Sequence, residues 1–514
     1  MASPLQSYLT TVPREKQNAA MTAYVAQLQL VAAVNPAVAA SIVKELEAQR
    51  SHLKLIASEN YCSLNTQAAM GNLLTDKYAE GYPEHRYYGG CDNVDAVESI
   101  AAREAENLFG ADYAYVQPHS GADANLVAYW AILNCKIEMP ELAALGETNL
   151  AHLNDEQWAA LRKKLGNQRL LGLDYYSGGH LTHGYRQNIS ARMFESFSYT
   201  VHKESGLLDY DEIEKQAMKI KPLILLAGYS AYPRSINFRR FREIADKCGA
   251  VLMVDMAHFA GLVAGKVFTG DENPVAWADI VTTTTHKTLR GPRGALILCK
   301  AEFADAVNKG CPLVLGGPLP HIMAAKAIAL KEAASEDFKT YARNVRDNAR
   351  FLAKACIDRG MKLQTGGTDN HLMLIDVTPY GLTGRQAENA LFECGITLNR
   401  NTLPFDPQGP WWTSGIRAGT PAVTTLGMGK AEMDEIADII DTALKAAKPA
   451  LTKDGKVSKG KVEVDGEKKR EVQTRVAKLL ERFRLYPELD LDFLKKHFVS
   501  KEGEADKEGR KTVF

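Results

Sequence analysis

One lysine in a polar turn between two apolar segments constrains this chain of 514 residues more than any other feature. Lys287 follows an apolar run, 278–281, and four threonines, 282–285. It precedes a glycine-bounded stretch, 291–294, and a second apolar run, 295–299. This order predicts a strand, a tight turn and another strand. A lysine held in such a turn can form an imine with an aldehyde once its amine loses a proton.

An acid and a histidine follow a second apolar run upstream. Asp255 and His258 come after residues 251–254, a pattern typical of a buried strand. Ligands of α/β folds bind where strands end, so Asp255 and Lys287 are candidates for one site. Taken singly, a turn lysine is commonly solvated, and an acid after a strand commonly caps a helix. Together, an imine-forming lysine and an acid able to pair with a pyridinium nitrogen meet the needs of pyridoxal 5'-phosphate (PLP).

Strand and helix patterns alternate along most of the chain. Short apolar or β-branched runs recur at residues 113–116, 197–201, 223–226, 250–254, 280–284 and 295–298. The alternation predicts an α/β fold, with a mainly parallel sheet of the seven-stranded type flanked by helices in a large domain, 61–330. A helical N-terminal arm, 1–60, is expected before it, and a smaller C-terminal α+β domain, 331–514, after it.

Composition excludes several classes of protein. Lys+Arg and Asp+Glu both total 62, so bulk charge indicates neither a nucleic-acid partner nor a membrane surface. No apolar window reaches the length of a membrane span, and the first twenty residues lack the pattern of a secretory signal. The eight cysteines contain no CxxC pair, so no metal site is predicted. Unpaired thiols fit the reducing cytoplasm, which is the expected location.

Several longer motifs resemble those of the serine hydroxymethyltransferase family, a group of PLP enzymes with the aspartate-aminotransferase-like fold (fold type I). They span residues 51–426 in family order. They are SEN (58–60), KYAEGYPEHRYYGG (77–90), QPHSGADAN (117–125), GGHLTHG (178–184), VDMAHFAGLVAG (254–265), VTTTTHKTLRGPRG (281–294) and SGIRAGTPA (414–422).

The resemblance implies roles around the cofactor ring. Lys287 would carry the imine, and Asp255 would pair with the ring nitrogen and keep it protonated. His180 would stack on the ring face. His258 and Ser230 would lie near the phenolic oxygen.

The resemblance also implies a phosphate site at a helix N-terminus. Ser120 and Gly121 would supply a hydroxyl and N–H groups there, and Thr284 is a further cofactor contact. Tyr78 and Gly317 resemble positions that reach the phosphate from the neighbouring subunit, which implies a homodimer with shared active sites and leaves a tetramer open. The family usually has a small hydroxyl residue at Ala122 and a glutamine at Asp123, so one phosphate hydrogen bond is expected to be missing.

Further residues are assigned to the substrates by resemblance. Arg417 would clamp the substrate carboxylate with its planar fork, helped by Ser58 and Tyr88. Glu80 would be the general acid–base. The pterin would bind beside Glu80, Leu181, Asn401, Tyr175 and Phe405. Tyr175 and Phe405 depart from the family pattern, because each adds aromatic surface.

The implied reaction is the reversible transfer of the serine hydroxymethyl group to tetrahydrofolate. It gives glycine and 5,10-methylenetetrahydrofolate through aldimine and quinonoid intermediates. Two alternatives stay open. A folate-independent PLP aldolase or transaldolase would use the same lysine, acid and arginine, and a non-catalytic PLP-binding scaffold would use none of them for chemistry.

Two segments depart from the compact family pattern. In 136–168, Asn154 with a glutamine three residues on predicts a helix start. Leu161 and Leu165, with Trp158 at the head of the same face, predict an amphipathic helix that packs in a core or against a subunit. The second segment, 453–469, predicts a flexible hairpin or a disordered loop with a turn at Asp465-Gly466. The charged tail, 501–514, is expected to be loose.

Overall fold

Three helices precede the first strand in the computed structural model, which describes residues 2–452 and 454–499. Asn35 ends the second helix and caps the third, where its side chain accepts from the N–H groups of Ala37 and Val38. Pro36 stands at the first helical position, where a missing N–H costs nothing. The elements are α1 Pro4–Thr11, α2 Ala19–Val34, α3 Pro36–Ser51 and β1 Leu53–Lys54.

A seven-stranded sheet follows, which confirms the predicted mainly parallel α/β fold. The strands of this region are β2 Gly81–Tyr82, β3 His85–Arg86, β4 Tyr113–Tyr115, β5 Arg169–Leu173, β6 Glu195–Tyr199, β7 Ile224–Gly228, β8 Val251–Asp255, β9 Ile280–Thr284 and β10 Ala295–Cys299. Their order in the large sheet is β4-β10-β9-β8-β7-β5-β6, and only β10 runs antiparallel to its neighbours. Strands β7 to β10 are buried at every position, because helices cover both faces of the sheet.

Helices connect these strands on both faces. The predicted helix in segment 136–168 is present, with a reciprocal capping box between Asn154 and Gln157. Leu161 is buried, whereas Trp158 is 40% exposed. The helices of this region are α4 Leu64–Ala68, α5 Asp92–Phe109, α6 Gly121–Leu133, α7 Met139–Ala144, α8 Asp155–Gly166, α9 Ser190–Met193, α10 Tyr210–Ile220, α11 Phe238–Cys248, α12 Ala260–Ala264, α13 Ala304–Asn308, α14 Gly310–Leu313 and α15 Pro320–Ala333.

A second, four-stranded antiparallel sheet lies in the C-terminal part, with its own apolar core. Its order is β11-β12-β15-β14, and β1 pairs in parallel with β13. The boundaries at 60/61 and 330/331 stay predictions. The elements are α16 Glu336–Asp358, β11 Lys362–Leu363, β12 Leu372–Asp376, α17 Gly384–Glu393, β13 Ile396–Thr397, β14 Asn399–Asn401, α18 Gly409–Trp412, β15 Gly415–Gly419, α19 Pro421–Thr425, α20 Lys430–Lys445, β16 Ala447–Leu451, β17 Val457–Val464, α21 Gly466–Arg482 and α22 Leu491–Phe498.

Residues 457–464 of the second segment form one strand of a hairpin rather than a disordered loop. Strand β17 pairs with β16, and the Gln386 side chain of α17 donates to the carbonyls of Ser458 and Lys461. The predicted turn at Asp465-Gly466 is wrong: Asp465 caps α21 by accepting from two backbone N–H groups. The tail 501–514 lies outside the described residues.

The longest helix, α16, spans 23 residues and is amphipathic. Its buried face carries Phe338, Val345 and Leu352. Within the two described ranges, none of the helices combines the length and the apolar character that crossing a membrane requires.

Arg50 is one of the residues that join the N-terminal arm to the C-terminal segment. Arg50 of α3 donates from Nε to the carbonyl of Leu485 at 2.9 Å, and from Nη2 to those of Tyr486 and Leu489 at 2.6 and 2.9 Å. These carbonyls lie between α21 and α22, where no helix satisfies them. Arg50 therefore anchors a segment that has little regular structure of its own.

Arg50→Met is expected to lower the free energy of unfolding by about 2 kcal/mol, because three carbonyls each lose a hydrogen bond from the guanidinium while the aliphatic stem stays. The change is measured as a lower Tm and faster proteolysis between α21 and α22. Arg14→Met, on an exposed turn, is the matched control. An unchanged Tm and protease pattern in Arg50→Met would show that the anchor is dispensable.

Candidate active site

The carboxyl ends of β8 and β9 place the predicted acid and lysine side by side. The strands are parallel neighbours, with Asp255 paired to Thr282. Beyond β9 the chain turns sharply, since Thr285 donates from Oγ1 to the carbonyl of Pro292 at 2.6 Å and accepts at its own carbonyl from Gly291 at 2.7 Å. Lys287 stands inside this closed turn, called the lysine loop (residues 285–294) below.

The amine of Lys287 is poised for nucleophilic chemistry. Its Nζ makes no hydrogen bond to any described residue and faces a cavity of about 360 Å³. Burial lowers the pKa of Lys287 to about 8, against the opposing charge of Asp255 and helped by Arg417 and Arg293. A sizeable fraction of the amine is therefore neutral near physiological pH.

Asp255 is a buried carboxylate with three donors. Oδ2 accepts from Asn125 Nδ2 at 3.0 Å and contacts His183 Nε2 at 3.2 Å, and Oδ1 accepts from the N–H of Ala257 at 3.0 Å. Burial alone would raise the pKa of this carboxyl, but the hydrogen bond and charge of His183 hold it well below its usual range. Asp255 is thus kept anionic, as a partner for a protonated ring nitrogen must be.

Three acid and imidazole groups here could also ligate a metal ion, because the ligand atoms of His180, His183 and Asp255 lie within 4.8 Å of one another. Both Asp255 oxygens already accept protein hydrogen bonds. His180 and Asp255 line the cavity of Lys287, and His183 contacts Asp255 from behind. These groups suit an organic ring better than a metal ion.

Histidines form one wall of the cavity. Burial lowers the pKa of His180 to about 4, so its ring is neutral. His258 lies with Nε2 at 3.3 Å from Ser230 Oγ and Nδ1 at 3.2 Å from His371 Nε2, and the two imidazoles stack. Burial also lowers the pKa of His258 and takes that of His371 to about 3. His258 and His371 are therefore both neutral, and they take part in hydrogen bonds without adding charge.

The N-terminus of α6 forms the opposite end of the cavity. Ser120 caps this helix by accepting from the N–H of Asp123 at 3.2 Å. A Cβ on Gly121 would lie 2.8 Å from Thr284 Cγ2, so the close approach of α6 to β9 requires glycine. Thr284, Ala122 and Ser58 line the same cavity. Free N–H groups at a helix start suit a phosphate.

These residues fit PLP. The cavity offers an amine for the aldehyde, an anionic carboxylate for the ring nitrogen, a neutral imidazole for the ring face and a helix N-terminus for the phosphate. Each group stands on a different element, and the sheet brings them together.

Arg417 of β15 lies on the far side of Ser230. It donates from Nε to Asn399 Oδ1 at 3.2 Å and from Nη1 to the carbonyl of Ser230 at 2.6 Å. Within the described residues it has no carboxylate partner. Burial lowers the pKa of Arg417 to about 10, partly offset by Tyr175, and the group stays charged. A buried guanidinium without an anion favours a carboxylate ligand.

A second cavity, of about 470 Å³, adjoins the first at His180 and contains Arg417. Three residues predicted for the pterin line it, namely Tyr175, Leu181 and Asn401. Phe405 lies outside the lining, 52% exposed on a backbone with φ of 61°. Asp406 holds this strained loop by accepting from the N–H groups of Leu403, Gln408 and Ser414.

Four predicted residues form a separate cluster that lines neither cavity. Glu80 accepts from the hydroxyls of Tyr78 at 3.3 Å and Tyr88 at 3.2 Å. A Cβ on Gly317 would lie 3.2 Å from the Tyr78 ring. Tyr78 and Tyr88 are 56% and 45% exposed, so the cluster faces outward.

Sequence reasoning missed several residues that hold these groups in place. Asn125 and His183 stand in quoted motifs but received no role. His371 and Asn399, beside His258 and Arg417, follow no pattern that points to a site; the polar run before β12 was the only signal for His371.

Comparison with known proteins agrees with this geometry. A family model described as serine hydroxymethyltransferase matches residues 31–157 and 147–440. A protein named serine hydroxymethyltransferase from Treponema pallidum is 68% identical over 497 residues, covering 97% of this chain and 87% of its own. A protein of the same name from Salinispora tropica is 57% identical, and the match covers 92% of this chain and 99% of that protein. Another from Mycolicibacterium smegmatis is 55% identical, and the match covers 96% of this chain and 100% of that protein. The chain belongs to the serine hydroxymethyltransferase family.

Proposed function

We propose that this protein transfers the hydroxymethyl group of serine reversibly to tetrahydrofolate, giving glycine and 5,10-methylenetetrahydrofolate, with PLP as cofactor. The observation that carries the proposal is a pair of basic groups without a salt-bridge partner. The Lys287 amine and the Arg417 guanidinium stand in adjoining cavities, and neither forms a salt bridge within the described residues. An amino acid with its carboxylate on Arg417 would direct its α-carbon towards the cofactor.

PLP would be held by Lys287, Asp255, His180, and Ser120 with Gly121. When bound, it supplies an aldehyde for imine formation and a ring that accepts electrons from the substrate α-carbon. Asp255 keeps the ring nitrogen protonated by remaining anionic, and Asn125 and His183 hold the carboxylate in position. His180 excludes water from the ring face.

The remaining residues bind and orient the substrates. Arg417 fixes the serine carboxylate, with Ser58 at the cavity edge. Ser230 and His258, whose side chains are in hydrogen-bond contact with each other, would lie beside the phenolic oxygen of PLP. Tyr175, Leu181 and Asn401 form a second cavity large enough for a pterin ring. Phe405 lies outside the lining of this cavity and would not contact the pterin.

Glu80 would act as acid–base in the site of a second subunit. The supporting observation is that Glu80, Tyr78, Tyr88 and Gly317 cluster at the surface, away from the cavity of their own chain. A two-fold dimer can bring such a surface onto the neighbouring cavity twice. We therefore propose a homodimer with shared active sites. Association of two such dimers would give a tetramer with the same sites.

We also propose a cytoplasmic location. All eight cysteines are free thiols, four of them with a pKa raised to about 11 or 12 by burial. Free thiols are the ordinary state in a reducing compartment.

The rate at which PLP forms its imine should rise with pH and level off above about 8, because only the neutral amine attacks and the pKa of Lys287 is lowered to about 8. Visible absorbance after mixing apoprotein with PLP measures this rate. Arg293→Met should move the midpoint upward, since that charge helps to lower the pKa. Lys287→Ala should give no borohydride-trapped cofactor; a trapped peptide in that variant would identify another lysine.

Arg417→Lys should raise the KM for serine about 100-fold, because a point charge replaces a planar fork. The affinity for PLP should change less than about twofold. Arg400→Lys is the matched control, since Arg400 lines the same cavity but is already paired with Glu388. Equal losses of serine and PLP binding in Arg417→Lys would show that Arg417 has a structural role and does not bind the substrate carboxylate.

Mixing Lys287→Ala subunits with Glu80→Gln subunits should restore about a quarter of wild-type activity, because half of the dimers become hybrids with one intact site. The double variant mixed with Lys287→Ala provides the control and should stay inactive. If verified subunit exchange restores nothing, each site is built from one chain.

Serine cleavage should depend on added tetrahydrofolate, whereas slow cleavage of allo-threonine should not. Asn401→Ala and Tyr175→Leu should raise the KM for tetrahydrofolate about tenfold and leave allo-threonine cleavage unchanged, because they lose contacts only in the second cavity. Phe405→Asn, outside the lining, is the control. A wild-type enzyme that cleaves allo-threonine well and ignores tetrahydrofolate would be the folate-independent aldolase instead.

A further inference from the structure

A buried lysine with no role in the reaction lies between the two loops of the proposed PLP site. Lys326 of α15 is 1% exposed. Its Nζ donates to the carbonyl of Val116 at 2.6 Å and to those of Pro118 and Ala295 at 2.9 Å. The first two acceptors lead into the phosphate-side helix start, Ser120 and Gly121. The third is the residue directly after the lysine loop.

The three acceptors define the protonation state of Lys326. A neutral amine has two N–H donors, whereas an ammonium has three. Burial lowers the pKa of Lys326 to about 7, and the charge of Glu98 opposes this shift. Glu98 itself is paired with Arg86. Only the charged form satisfies all three carbonyls, so the geometry favours the ammonium.

The same segment is clamped from its other side. Gln117, between the two carbonyls, donates from Nε2 to Glu98 and to the carbonyl of Gly81, both at 2.8 Å. The N–H of Ala295 donates to the carbonyl of Pro118 at 3.0 Å. Residues 116–118 and the start of β10 are thus joined by direct bonds, with the Lys326 ammonium at the junction.

We propose that Lys326 is a positioning residue that fixes the spacing between the phosphate-side helix start and the lysine loop. The inference rests on the proposed PLP chemistry, because bound PLP would have its phosphate at the helix start and its aldehyde at Lys287. A small change of spacing strains both ends of a rigid ligand at once. Lys326 itself lines neither of the two cavities.

Gly294 provides an independent way to disturb the junction. A Cβ at this position would lie 2.6 Å from Lys326 Cε and 3.2 Å from Nζ. Gly294→Ala therefore pushes the ammonium away from its acceptors while keeping its charge.

Hydrogen exchange of the full-length protein tests the inference without PLP. Lys326→Met should speed exchange about tenfold in peptides that cover 116–122 and 285–295, because both lose the shared anchor. Lys331→Met, on the exposed side of the same helix, is the matched control and should change neither peptide. Gly294→Ala should deprotect the same two peptides, and it decides the question if Lys326→Met does not fold.

Binding measurements complete the test. PLP affinity should fall about tenfold in Lys326→Met, with the KM for serine at saturating PLP within about twofold of wild type. Uniform deprotection of the whole chain, unchanged exchange in both peptides, or equal losses of PLP and serine binding would overturn the inference. Wild-type protein that binds no PLP would instead overturn the proposed function, whatever the exchange data show.

Discussion

A carboxylate that must stay charged inside an apolar sheet governs this site. Asp255 ends a strand that is buried throughout, where an unpaired ion is very unfavourable. Its donors come from α6, from the loop after β5 and from the turn after β8 itself. Three segments far apart in sequence therefore converge on one side chain. Asn125 is also held by Thr182 and Thr282, so the network extends into two neighbouring elements.

The electrostatic design follows from this single anion. Asp255 raises the pKa of Lys287, while burial and the two arginines lower it further than Asp255 can offset. Arg417 stays charged although it is buried, because a backbone carbonyl and an amide oxygen accept from it. The result is one buried carboxylate beside the Lys287 amine and one guanidinium without a carboxylate partner among the described residues. His180 and His258, which line the same cavity, remain neutral, so they add shape and hydrogen bonds without further charge.

Much of the fold could be predicted because its central strands are buried on both faces. Residues 280–284 were predicted as a strand and form β9 with the same bounds, and 295–298 falls within β10. Errors cluster where a partner strand decides the structure. Helix α20, for example, ends at Lys445 because Ala447 pairs with Val464 in the hairpin, a partner that the local sequence does not reveal. The same pairing explains why residues 457–464, a segment of low hydrophobicity, form the eight-residue strand β17.

The sequence by itself determined the chemistry of the site, since the lysine loop, Asp255 after its strand and the glycine-containing helix start are short-range patterns. Tertiary structure alone decided which side chains support them. His371 lies 113 residues from His258, and Lys326 lies 210 residues from Val116, yet both are in hydrogen-bond contact. It also decided that Phe405 lies outside the second cavity and that Glu80 lines neither of the two cavities. Such placements depend on how separate elements pack, and a local pattern of residue types carries no information about packing at that range.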